Sequence, residues 1–279
     1  MTKKIYIIIL LFTSTIFYGQ QEPQYTQYMY NASIINPAYA GSKGNLNIFS
    51  LYRAQWVGLD GAPTTTNVAM HKPVDGTNIG YGFSILNDQI GPSDETQFAV
   101  DLSYTLFLNN SNRLAFGLKA SGNLLNVDYT KLNQYTLGEE ILQNNISNRF
   151  SPNIGLGFFY YNETEYLGIS IPMTLDTKRY DDISNSTLNQ RAHLYVSGGK
   201  VYDVNYNLKF KPAFVSKIVS GSPLQVDVSG NFMYEEKFTF GLGYRWDAAV
   251  SAMAGFQLSE KLFIGYAYDR ETSNLSNYN

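Results

Sequence analysis

The side chains best suited to proton transfer at neutral pH are the two histidines, His71 and His193. Each falls in a segment with the alternation of a β-strand, and they are far apart in sequence. A Ser-His-carboxylate triad can assemble across strands, so the sequence leaves open a barrel hydrolase with one histidine beside an outward-facing serine. Neither histidine lies in a recognisable catalytic motif, however. We therefore predict no catalytic residue and no enzyme activity.

Signals for metals and cofactors are equally weak. The chain has no cysteine, which excludes disulfides, thiolate metal sites and lipid attachment through cysteine. It has no phosphate-binding loop, no dinucleotide fingerprint and no histidine-rich metal spacing. Asp181 and Asp182 could contact calcium in a loop, although solvated loop charge is the commoner explanation. With a net charge of −3 and no basic block, nothing indicates nucleic-acid binding. We expect no cofactor.

Charged residues recur on the polar faces of the alternating segments. The basic ones are Arg53, Arg113, Lys119, Lys209, Lys211, Lys217 and Arg245, and the acidic ones are Asp101, Asp227 and Asp269. In a transmembrane barrel these would face the lumen, because a charge facing hydrocarbon costs about 2–4 kcal/mol near the midplane. A net-basic lumen would attract an anionic solute or an acidic protein segment. The alternative is a network of paired charges around a lumen plug.

The alternation itself is clearest over residues 238–246. Phe238, Phe240, Leu242, Tyr244 and Trp246 share one face, opposite smaller and polar residues. A soluble β-sandwich also alternates, but its strands average about five to six residues, whereas many segments here reach ten or more. The 23 tyrosines, 17 phenylalanines and 23 glycines also suit a barrel with aromatic girdles. The predicted fold class is therefore all-β, a transmembrane antiparallel β-barrel.

The number of strands can be counted along the chain. The alternating segments lie near 45–57, 64–74, 78–88, 97–108, 112–125, 152–162, 165–173, 191–203, 206–219, 224–234, 238–246, 249–258 and 262–270. Short turns alternate with connections that are often longer, notably 88–96, 126–150 and 174–190, as in outer-membrane barrels with periplasmic turns and extracellular loops. Because closure needs an even number, we predict a C-terminally truncated barrel of about 14 strands with 13 present. A strand from another polypeptide is the alternative.

The N-terminus has the features of a secretory signal. Lys3 and Lys4 precede an apolar run over residues 5–12, which is too short to span a membrane comfortably. We predict a signal peptide over 1–19, export through the Sec pathway, and location in the outer membrane. Residues 20–44 would form an N-terminal plug or periplasmic segment, and residues 45–279 the barrel.

The segments around the first predicted strand are the most distinctive. Residues 21–31 (QEPQYTQYMYN) lead into 35–41 (INPAYAG), 51–63 (LYRAQWVGLDGAP) and 87–92 (NDQIGP). Together with YAYD at 266–269, they resemble the PorP/SprF family of Bacteroidetes outer-membrane proteins, associated with type IX secretion and gliding.

The resemblance implies a barrel that anchors or helps export a large cell-surface adhesin by gripping its C-terminal domain. It leaves open a role within the secretion apparatus, with periplasmic or peptidoglycan-binding components as partners. A small-solute porin or transporter is the alternative from another class. Residues that sit in the family-like segments are predicted to contact a partner or form the plug: Tyr25, Tyr28, Asn36, Pro37, Tyr39, Arg53, Gln55, Trp56 and Asp60.

Overall fold

The computed structural model describes residues 28–131, 145–175, 177–178, 189–190 and 192–272. Sixteen strands occur in these ranges: β1 Asn47–Ala54, β2 Thr64–Pro73, β3 Ile79–Ile90, β4 Ser93–Phe107, β5 Arg113–Val127, β6 Ile146–Tyr161, β7 Glu165–Ile171, β8 Thr177–Lys178, β9 Asn189–Gln190, β10 His193–Lys200, β11 Tyr202–Asn205, β12 Leu208–Val219, β13 Gln225–Tyr234, β14 Phe238–Arg245, β15 Ala249–Ser259 and β16 Leu262–Glu271. Three short 3-10 turns accompany them, at Ala32–Ile34, Pro37–Tyr39 and Tyr129–Lys131. No helix among the described residues has the length and apolarity to cross a membrane.

One antiparallel sheet of 14 strands contains all of these except β8 and β9, which pair with each other. Its path runs β1 to β7, then β10, then β12 to β16, with each strand beside its neighbour in sequence order, and β11 pairs with β12 as a continuation of β10. The predicted fold class is confirmed. The two end strands, β1 and β16, are not hydrogen-bonded to each other in the described sheet. A further closing strand stays a prediction.

Burial along the strands is inverted relative to a water-soluble protein. On β5 the outward-facing Leu118 is 59% exposed while the neighbouring inward-facing Lys119 is 4% exposed. On β14 Leu242 is 68% exposed, whereas Arg245 is 4% exposed. This pattern suits a wall whose outer face meets hydrocarbon and whose inner face is polar.

The two ends of the sheet differ in their connections. At the short-turn end the strands are joined by residues 74–78, 108–112, 162–164, 206–207, 235–237 and 260–261. At the opposite, long-loop end the connections include 55–63, 128–145 and 172–192. The expectation of a long connection over 88–96 is wrong, because β3 continues to Ile90 and β4 starts at Ser93.

Polar cross-strand bonds explain that extension. The Asn87 amide donates to Asp94 Oδ1 at 2.7 Å and to Thr96 Oγ1 at 2.9 Å, and Gly91 turns the chain with a φ of +55°. Residues in this hairpin are polar on both faces, so the alternation that marks a strand between lipid and lumen disappears while the hydrogen-bond ladder continues.

The N-terminal segment, residues 28–44, lies inside the curled sheet. Its side chains enter two apolar clusters. The first joins Tyr28, Met29 and Ile35 to residues of β10, β12 and β15, and the second joins Ala32, Ala38 and Tyr39 to residues of β5 and β6. The segment therefore contacts inward faces on both sides of the lumen.

Candidate functional site

Asn36 fixes the N-terminal segment to the wall. Its side chain is 1% exposed, and its Oδ1 accepts the backbone N–H of Ala38 at 2.9 Å, which caps the 3-10 turn Pro37–Tyr39. Its Nδ2 donates to the backbone carbonyl of Phe158 on β6 at 2.9 Å. Pro37 occupies the first position of the turn, where its missing N–H is not needed. One asparagine therefore shapes the segment and attaches it.

Glycines on the inner wall let the backbone of this segment approach the strands. A Cβ placed on Gly117 would lie 2.1 Å from the Ala38 nitrogen, and one on Gly80 would lie 2.3 Å from the Ala40 oxygen. At Gly157 the same atom would lie 2.1 Å from Asn36 Oδ1. Only a residue without a side chain permits contact this close.

Four polar side chains of the wall bond the segment's backbone. Ser103 and Ser170 donate to the carbonyls of Ala40 and Ile35 at 2.6 and 2.7 Å. Lys119 Nζ lies 3.5 Å from the Ser33 carbonyl oxygen. The fourth is His71, whose Nδ1 accepts the Gly41 N–H at 3.2 Å.

The tyrosines of the segment extend these contacts. The Tyr28 hydroxyl lies 3.3 Å from Ser229 Oγ on β13, and burial raises the pKa of this phenol, so it stays protonated. The Tyr39 ring packs edge-on against His71, with centroids 5.1 Å apart. Tyr30 stacks on Phe263 of β16 at 5.2 Å. Tyr25 lies outside the described residues.

Two of the predicted lumen cations, Lys119 and Arg245, form buried ion pairs with aspartates. Lys119 Nζ lies 2.8 Å from Asp101 Oδ1, and both side chains are almost fully buried. Arg245 Nε donates to Asp227 Oδ1 at 2.7 Å. Since each cation faces a carboxylate, these pairs fit the alternative of a paired network around a plug better than a free basic surface.

The remaining lumen charges are placed differently. Lys211 and Arg113 lie over the rings of Tyr166 and Tyr161 at 5.4 and 5.8 Å, within cation–π distance. Lys209 pairs with Glu236 at 2.7 Å in an exposed position at the short-turn end. Lys217 is 5% exposed on the inner face of β12.

Side chains from the two edge strands of the sheet, β1 and β16, and from the loop that follows β1 meet at the long-loop end. Arg53 lies 3.6 Å from Asp269 and donates to Gln55 Oε1, and Trp56 Nε1 donates to Glu271 Oε1 at 2.8 Å. We call these five residues the edge cluster. The structure thus brings together the predicted contact residues Arg53, Gln55 and Trp56. Asp60, predicted with them, is exposed in the loop 55–63 outside the cluster.

The two histidines lie on the inner face of the sheet in different surroundings. His71 bonds the N-terminal segment, and His193, 2% exposed, stacks on Tyr195 at 6.3 Å. Across the described ranges, no three histidine or acidic side chains converge as metal ligands.

Sequence reasoning missed the glycines and serines that receive the N-terminal segment. A usable signal was present: small residues such as Gly80, Gly82, Ser103, Gly117 and Gly157 occupy inward positions where a lumen-filling side chain would be expected. Such a row indicates that another part of the chain fills the space.

Comparison with known proteins assigns the fold to a family. The sequence matches the family described as "Type IX secretion system membrane protein PorP/SprF" over residues 17–279. The chain belongs to the PorP/SprF family. No curated protein matches this PorP/SprF chain significantly.

A solved channel structure is similar to this PorP/SprF protein in fold alone. The CymD monoaromatic hydrocarbon channel superposes with a TM-score of 0.50 at 11% identity, covering 91% of this chain and 90% of the channel. A mutant of the Rh. blastica porin is less similar, with a TM-score of 0.32, 9% identity, and coverage of 82% and 94%.

Proposed function

We propose that this PorP/SprF protein is an outer-membrane barrel of the type IX secretion and gliding system, which anchors or helps export a large cell-surface adhesin through its C-terminal domain. In this proposal residues 20–44 act as a plug, the short-turn end faces the periplasm, and the long-loop end faces outward. Sec export and the signal peptide over 1–19 belong to the same proposal.

The observation that carries it is the fit of residues 28–44 inside the sheet. The backbone of the segment against Gly80 and Gly117, and the Asn36 side chain against Gly157, leave no space between segment and wall at those points. A filled lumen suits a docking protein, because its working surface is then the long-loop end and not a pore. In this proposal the edge cluster, with a half-exposed tryptophan beside charged groups, is the contact surface there.

The experiment is affinity purification of the tagged full chain from detergent-solubilised outer membranes, with co-purifying proteins identified by mass spectrometry. Recovery of one large secreted protein through its C-terminal region supports the anchor role. Recovery of periplasmic or peptidoglycan-binding components without such a protein supports a role in the apparatus instead.

Two matched variants sharpen the result. Trp56→Ala removes an aromatic side chain from the long-loop end, and Tyr206→Ala removes a fully exposed one, at 103%, from the short-turn end. The anchor role predicts that Trp56→Ala reduces recovery of the secreted protein while Tyr206→Ala does not. The reverse pattern contradicts it.

A solute channel is the competing function, and conductance decides it. The purified wild-type protein in planar bilayers is expected to pass little current, because the N-terminal segment fills the lumen. Stable ion conductance by the isolated wild-type protein would overturn the proposal in favour of a porin.

A further inference from the structure

A concavity of about 580 Å³ lies in the outer wall near the short-turn end, between β6, β7, β10, β12 and β13. Its apolar surface comes from outward-facing side chains, among them Leu167, Phe214 and Val228. Each of these is between 37% and 47% exposed. These three side chains therefore face away from the lumen and its N-terminal segment.

The concavity exists because one outward position carries no side chain. Gly198 stands opposite Leu167 on one neighbouring strand and Phe214 on the other. A Cβ at Gly198 would lie 2.7 Å from the Phe214 ring, so the ring leans over the glycine and the surface is recessed there. Gly122 and Gly230 are also outward glycines with a phenylalanine ring close to the Cβ position, so what distinguishes the recess at Gly198 is its rim.

A zwitterionic rim borders this recess. Lys200 Nζ lies 2.8 Å from Glu165 Oε2, with the two side chains 47% and 35% exposed. Both residues line the concavity. The Tyr202 ring lies 5.7 Å from the Lys200 ammonium. Tyrosine beside lysine is typical of the level where hydrocarbon meets the headgroups.

We propose that this concavity binds one phospholipid with a zwitterionic amine headgroup. An acyl chain occupies the recess over Gly198, the phosphate pairs with Lys200, and the headgroup ammonium pairs with Glu165. The rim carries one cation and one anion side by side, as complements to the adjacent phosphate and ammonium of such a headgroup. Placement in the periplasmic leaflet rests on the orientation given under the proposed function, whereas the binding itself does not.

Native mass spectrometry of the full chain in detergent, titrated with phosphatidylethanolamine, tests the site. The wild-type protein is expected to retain one lipid after the remaining adducts have dissociated. Val228→Trp fills the recess and lowers that occupancy by about tenfold, the effect of displacing roughly two methylene groups from an apolar site. Val250→Trp is the matched control, because Val250 is outward-facing on β15 and 45% exposed, as Val228 is 47% exposed.

Headgroup variants test the rim separately. Glu165→Gln is expected to abolish the preference for phosphatidylethanolamine over phosphatidylglycerol, and Lys200→Gln to weaken both lipids by about threefold. Equal lipid retention by wild type, Val228→Trp and Val250→Trp would overturn the proposal. So would capture of an apolar protein segment at the recess in place of lipid. Because isolated protein is used, loss of lipid binding is distinguishable from loss of the secreted partner.

Discussion

The inner face of the sheet makes different contacts in its two halves. Near the short-turn end, the backbone of residues 28–44 packs on glycines and accepts bonds from serines of the wall. Near the long-loop end, polar side chains of neighbouring strands bond one another. Asn123 Nδ2 donates to Glu95 Oε1 at 2.9 Å, and Arg245 to Asp227 at 2.7 Å.

This difference separates a rigid fit from an adjustable one. Backbone packed on glycine tolerates no added atom, since interiors are close-packed and the neighbours here are also backbone. Side chains that pair across strands can change rotamer and take new partners. We infer that the contacts of the short-turn half are rigid. The side-chain contacts of the long-loop half can rearrange, so this half could adapt to the partner of the proposed function.

The largest expected effect is at the buried ion pair between the two halves. Asp101→Leu leaves the Lys119 ammonium buried without its carboxylate, which costs about 3–5 kcal/mol of folding free energy. Denaturant unfolding in detergent measures this cost. The double variant Asp101→Leu/Lys119→Met should recover most of it, because the uncompensated charge is gone.

Asp227→Leu gives the corresponding test in the long-loop half. The Asp227 side chain is 15% exposed, against 2% for Asp101, so water can enter where the Asp227 carboxylate stood and solvate Arg245, and the loss should be smaller. A loss as large as that of Asp101→Leu would show that the two halves do not differ in rigidity.

The next effect concerns the glycine fit. Gly117→Ala places a methyl group against the Ala38 backbone, and this overpacking should lower the folding stability by about 1–3 kcal/mol. Displacement of the N-terminal segment would relieve the clash. Limited proteolysis within residues 28–44 detects that displacement. Gly243→Ala is the control, because a Cβ there has its nearest neighbour at an ordinary 3.4 Å on the same inner face. Equal protease resistance in both variants contradicts the fit.

A smaller effect is expected from removing one amide. Asn36→Ala removes the cap on Ala38 and the hydrogen bond to Phe158. The buried backbone groups left unsatisfied should lower the folding stability by about 1–3 kcal/mol. Asn123→Ala, in the other half, should cost less because Glu95 can rearrange. Thermal unfolding should give a lower midpoint for Asn36→Ala than for Asn123→Ala. The opposite order would count against a rigid short-turn half.

The smallest effect is a pH response in the long-loop connection 128–145. The Thr130 hydroxyl, which donates to the Asp128 carboxylate at 2.6 Å, lowers the pKa of that group below its unfolded value. The resulting local stability is present above the unfolded pKa and is lost as the pH falls through the folded pKa. The protection factor of the Thr130 amide, which is its exchange rate relative to the intrinsic rate at the same pH, should therefore fall in acid, whereas that of Ala38 should not. A fall at both sites would mean general unfolding.

Much of the wall was predictable because lipid and lumen impose alternation on each strand. The 238–246 pattern identifies β14 directly, and the charges of Lys119 and Arg245 are inward as expected. The long connection predicted over 88–96 was wrong. The β3–β4 hairpin extends beyond the hydrocarbon, where its strands are held by hydrogen bonds and need no alternation of apolar and polar residues. The contacts of Asn36 with Gly157 and Phe158 were not predictable, because they depend on where a non-repetitive turn meets the register of distant strands.

The position of the N-terminal segment also bears on the order of assembly. Tyr28 meets Ser229 across 201 residues of sequence, and Trp56 meets Glu271 across 215. These contacts close loops of more than 200 residues, so their entropic cost is met only after the intervening strands have paired. The part of the described chain that is synthesised first is thus the part whose contacts are completed last, because Tyr28 needs β13 and Tyr30 needs β16 to be in place.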